Sequence, residues 1–178
     1  MLIKSQSYSG FTLPELLVAI TIVSVLIIFA IPSFNSAIRS NRLTTCSNEF
    51  ITSLSFARTE AIKRGRHVVL RKTGANWENG WQVFVDVDRS TPAKENVIDT
   101  GTDIELKVYS ALPANFTLRG NNNFVNFIRY QPDGTSNQIG SFAVCHNEEI
   151  SGAKLITVNS VGRTRIAADS ELFCHDPG

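Results

Sequence analysis

From Leu16 to Ile31 the only polar residues are Thr21 and Ser24, and from Phe11 to Ile31 the only charge is Glu15. At ~1.5 Å per helical residue, such a run is long enough for a ~30 Å hydrocarbon core. It predicts a helix over 11–34 that is apolar on every side. Pro14 fits its first turn, where the missing N–H is not needed. Pro32 lies deeper and is expected to kink or loosen the turn before it. Beyond Pro32 the pattern narrows to a stripe. Leu43, Cys46, Phe50, Leu54, Ala57 and Ala61 recur every three or four positions, as in an amphipathic helix lying against a sheet. Gly65, following Lys63 and Arg64, is the expected stop.

After Gly65 the period falls to two. The alternation predicts strands at 67–72, 81–87, 104–110, 116–119, 125–131, 141–145, 154–159 and 163–167. Turns are expected around Gly74-Ala75-Asn76 or Glu78-Asn79-Gly80, and at Pro132-Asp133-Gly134. Residues 89–103 read as a polar loop, and no internal repeat is present. The expected fold class is α+β: one long helix followed by short antiparallel strands.

A length of 178 residues accommodates one membrane helix and one modest globular domain. Hydrophobic content of 43% with 19% charged residues excludes a disordered chain and a wholly embedded one. The formal charge is +1, so any nucleic-acid contact must come from a local patch. Residues 37–72 carry eight Lys/Arg against Glu49 and Glu60, whereas 73–114 carry three against seven acids. That distribution fits a solvated helix followed by an acidic loop region, or a basic stem that helps hold a polyanion.

The N-terminal segment adds chemistry to the pattern. Gly10-Phe11-Thr12-Leu13-Pro14-Glu15-Leu16 places a carboxylate at the edge of the apolar run, where it is costly and invites a functional role. A secretory signal peptide would need a basic n-region and a small-residue cleavage site after its core. The leader holds a single Lys4, and Ile28-Phe29-Ala30 is a poor site. The segment resembles the processing site of type IV prepilins and pseudopilins. That resemblance implies cleavage after Gly10 by a prepilin peptidase and N-methylation of Phe11. It also implies pairing of Glu15 with the Phe11 amine of a neighbouring subunit, which offsets the desolvation of both charges only in the right register. The implied location is the bacterial inner membrane, single-pass, with a periplasmic domain that later reaches a pilus at the cell surface among other pilins.

Leu54-Ser55-Phe56-Ala57-Arg58-Thr59-Glu60-Ala61-Ile62, followed by Trp77 and Gly80-Trp81-Gln82-Val83-Phe84-Val85-Asp86, is more specific. These residues resemble the FimT/GspH family of type IV minor pilins and pseudopilins. The resemblance implies a pilin-like fold, with the long N-terminal helix packed on antiparallel β-sheets. It divides the chain into a leader at 1–10, a transmembrane and filament-core helix at 11–34, and an amphipathic half-helix with a β-rich domain at 35–178. Trp81 and Phe84 read as core packing.

Cys46 sits on the apolar stripe and reads as a buried free thiol. Cys145 and Cys174 fall in the expected exported domain, where a disulfide between them would persist, stabilise by about 3–4 kcal/mol in the chain-entropy model and pin the C-terminus. Cys145-His146 and Cys174-His175 could instead supply a zinc site, although adjacent residues on a strand point to opposite faces. His67 stands alone at a strand start and reads as structural. With no G-x-S-x-G and no Walker sequence, the chain reads as a non-enzyme without cofactor or metal.

One further motif bears on function. In a strand, Arg163 and Arg165 would share one face, and Gly162 would allow a turn or bulge just before them. Two guanidiniums about 7 Å apart match roughly the spacing of successive phosphates, and such contacts give affinity without reading sequence. A solvated face paired with Asp169 or Glu171 is the plainer alternative. Gly162-Arg163-Thr164-Arg165 is similar to the G-R-x-R motif of the FimT branch, minor pilins that bind DNA during uptake in natural transformation. The resemblance implies non-specific DNA contact through Gly162, Arg163 and Arg165, with Lys154, Arg119 and Arg129 as candidate extensions of the patch. A structural minor pseudopilin of type II secretion, GspH-like and without DNA contact, is the alternative.

Overall fold

A computed structural model describes residues 10–167 and Cys174, with the side chains of 28–33 left aside. The chain divides into two compact units, Met1–Arg39 and Ser40–Gly178. Helix α1 (Leu13–Arg64) contributes to both and continues through Pro32 without a break in the assigned helix.

In the first unit the apolar side chains are exposed, Phe11 to 78% and Leu13 to 75%. Thr21 Oγ1 donates to the Val18 carbonyl at 2.8 Å and Ser24 Oγ to the Ile20 carbonyl at 2.7 Å, so both hydroxyls are satisfied within the helix. Among the described residues no helix is long and apolar enough to cross a membrane. The apolar run continues in sequence into residues 28–31, whose side chains fall outside that description.

The second unit contains the core. All six predicted stripe residues of α1 are buried. The helix closes where expected. Gly65 has φ 61°, its N–H donates to Ile62 O at 3.3 Å, and Arg66 N–H reaches Ala61 O at 3.3 Å. These two bonds satisfy the last carbonyls, and the left-handed residue between them favours glycine.

One sheet has the order β3-β2-β1-β5, built from β1 (Val68–Lys72), β2 (Trp81–Val85), β3 (Ile104–Tyr109) and β5 (Phe127–Tyr130). The other has the order β4-β6-β7-β8, from β4 (Phe116–Gly120), β6 (Gly140–His146), β7 (Glu149–Val158) and β8 (Thr164–Ala167). All pairings between these strands are antiparallel. Phe50 of α1 joins the layers, meeting Trp81 of the first sheet edge-on at 5.2 Å and Phe142 of the second at 4.6 Å. Trp81 and Phe84 are fully buried, as expected of fold markers.

Two differences from the predicted elements bear on the site. β7 starts at Glu149, five residues before the expected 154, after a two-residue turn in which Asn147 (φ 52°) and Glu148 (φ 58°) are both left-handed. β8 starts at Thr164, which leaves Arg163 in the preceding turn.

Candidate nucleic-acid interface

Residues 159–163 form the tip of the β7–β8 hairpin. The Gly162 N–H donates to Asn159 O at 2.9 Å, and the Asn159 N–H donates to Arg163 O at 3.1 Å. Asn159 Oδ1 also accepts the Arg163 N–H at 2.8 Å. This is a four-residue turn followed by a bulge, and Gly162 (φ 74°) holds its left-handed position. Space makes the same demand as the backbone angle, because a Cβ on Gly162 would lie 2.2 Å from Gly134 O.

The tip is held from the helix side. Arg58 of α1 donates from Nε to Gly134 O at 2.9 Å and from Nη2 to Val161 O at 3.1 Å. The Ser136 N–H reaches Ser160 O at 3.1 Å and adds a third tie between the 131–136 turn and the tip. Between α1 and β8 lies an open groove of about 340 Å³ lined by Ser55, Arg58, Thr59, Gly162, Arg163, Thr164 and Arg165. Three of these residues are arginines and none is acidic. Arg163 and Arg165 are exposed, and among the described residues neither forms an ion pair. Asp169 and Glu171, the partners considered from sequence, lie outside the described residues.

The other basic residues do not join the groove. Lys154 pairs with Val144, whereas Arg165 pairs with Thr157, an odd number of positions along β7. Strand alternation therefore places Lys154 on the sheet face opposite Arg165, which corrects its expected place in the patch. Arg119 is 8% exposed and bound to Glu78, with Glu148 at 3.9 Å. Arg129 faces Glu95 at 3.6 Å and Asn96 Oδ1 at 3.0 Å. Sequence reasoning missed the place of Arg58, whose two acceptors lie 76 and 103 residues away along the chain.

Cys145 and Cys174 form the expected disulfide, with Cα atoms 5.8 Å apart. It sits with Ala143, Ala153 and Leu155 in a small cluster on the outer face of the second sheet. The bond occupies both sulfurs that the zinc alternative required, and His175 is outside the described residues. Cys46 is buried and free, and burial raises its thiol pKa. Burial lowers the pKa of the His67 imidazole, and the charges of Arg89 and Arg129 add to the shift.

Residues 47–162 match the family described as type II transport protein GspH, which is more than half of the chain. The chain belongs to the GspH family. Residues 6–31 match the prokaryotic N-terminal methylation motif, so this GspH-family chain is a minor pilin or pseudopilin carrying the processing signal. Among solved structures, the type IV minor pilin FimU of Pseudomonas aeruginosa is similar with a TM-score of 0.60 and 20% identity. The likeness covers 76% of this chain and 96% of FimU. The minor pseudopilin EpsH of the Vibrio cholerae type 2 secretion system is similar with a TM-score of 0.51 and 13% identity, over 73% of this chain and 99% of EpsH. These likenesses show the fold: a long N-terminal helix packed on two antiparallel sheets. No curated relative matches the sequence at a significant level.

Proposed function

We propose that this GspH-family protein is a minor pilin that binds DNA non-specifically through Arg163 and Arg165 and serves DNA uptake in natural transformation. The observation that carries the reading is the exposed pair of guanidiniums beside a groove with no acidic lining residue. Such a site attracts phosphate and reads no base edges. The protein acts by binding and assembly, without catalysis. Cleavage after Gly10, methylation of Phe11 and pairing of Glu15 with a neighbour's N-terminus place it in the inner membrane and then in a filament with other pilins. Mass spectrometry of filaments should find methylated Phe11 as the N-terminus, and an intact Met1 would overturn the processing reading.

The binding test uses the fragment from Ser40, which contains the whole described core. It should bind duplex DNA with a Kd of about 1 μM or weaker, falling steeply with salt. The double change Arg163→Ala, Arg165→Ala should remove most binding and leave the fold intact. Full binding by that variant would refute the assignment. A second reading, a structural pseudopilin of type II secretion, draws on the GspH family match. Absence of DNA binding at low salt would favour it.

A further inference from the structure

Arg58 reaches the hairpin tip from α1, and among the described residues it forms no ion pair. Both of its hydrogen-bond acceptors are neutral carbonyls, Gly134 O and Val161 O. A guanidinium has five N–H donors, and these two bonds leave the others unspent. Arg119 and Arg129, by contrast, face carboxylates. Arg58 also lines the same groove as Arg163 and Arg165. Three like charges around one groove repel one another unless an anion lies between them. The opposite wall adds donors of another kind. The Asn159 N–H donates to Arg163 O and the Arg163 N–H turns back to Asn159 Oδ1, so alternation along β8 turns the N–H of Thr164 away from β7, toward the free edge of the sheet.

We propose that Arg58 is the third cation of the site, so that one phosphodiester backbone lies in the groove between α1 and β8, gripped from both walls. Its two carbonyl bonds make it the positioning residue of the hairpin tip, and its remaining donors contact phosphate. This inference rests on reading Arg163 and Arg165 as a DNA contact. It extends the site from Arg165, which shares a sheet face with Leu155, around the β8 edge to α1.

The test uses the full chain in neutral detergent micelles and a fluorescent duplex, with affinity measured by anisotropy at several salt concentrations. Each phosphate contact adds a slope of about −0.9 to the plot of log K against log salt. Arg58→Gln should weaken binding several-fold and make the slope shallower by about one. Arg58→Lys keeps the charge, so it should restore the slope and part of the affinity. Equal losses in both variants with an unchanged slope would mean that Arg58 only holds the tip, and would overturn the proposal. So would parental binding by Arg58→Gln. In either of those outcomes, loss of binding on changing Arg163 and Arg165 would leave the DNA reading standing. If the unsubstituted chain fails to bind at low salt, the DNA reading falls, and this inference falls with it.

Discussion

A Cβ added to Gly162 would meet the carbonyl oxygen of Gly134 at 2.2 Å, so the hairpin tip and the 131–136 turn touch backbone to backbone where they converge on α1. Gly162→Ala therefore adds a backbone clash to a left-handed residue. A left-handed angle alone costs roughly 1–2 kcal/mol at a non-glycine residue. We expect a loss of about 2 kcal/mol or more in urea unfolding, with weaker DNA binding measured well below the midpoint.

Lys154 provides the negative control. It carries the same charge as the groove arginines but occupies the other face of the sheet. Lys154→Ala should leave both DNA affinity and its salt slope within error of the parent, whereas Arg165→Ala should lower both. A shallower slope with Lys154→Ala would contradict the register assigned to β7.

The disulfide closes a loop with a sequence separation of 29. Replacing both cysteines by serine should lower stability by about 3–4 kcal/mol in the chain-entropy model, read as a shift in denaturant midpoint. Adding reductant to the parent should reproduce most of that shift and leave the double variant unaffected.

The pKa of His67 lies below the ordinary imidazole value, chiefly through burial, with Arg89 and Arg129 adding to the effect. Below about pH 6.5 the unfolded chain then binds more protons than the folded one. Stability should fall as pH drops from about 6.5 toward the lower folded-state value, and His67→Gln should flatten that part of the profile. An unchanged profile would show that other groups set the acid sensitivity.

Most of the fold was legible because its signals are local. The α1 stripe from Leu43 to Ala61 and the strand alternation depend only on neighbours in sequence, and the elements fall within a few residues of expectation. The start of β7 was not legible. Its turn uses Asn147 and Glu148, both left-handed, and Glu148 lacks the glycine that usually marks such a hairpin. That omission also hid the facing of Lys154, since a one-residue shift in register exchanges the faces of a strand. Cys145 and Cys174 were found as a pair because compartment and residue type restrict cysteine chemistry. Arg58 could be counted as a basic residue, but its bonds to Gly134 and Val161 depend on tertiary closure and leave no trace in local spacing.

The inward bonding of Thr21 and Ser24 has a consequence for assembly. From Leu16 to Ile27 the segment offers no hydroxyl donor to an adjacent helix, so no hydrogen bond donated by these side chains sets an axial offset. In the proposed filament, discrimination between one axial offset and another would then fall on Glu15, a single tooth at the end of an otherwise ungeared rod.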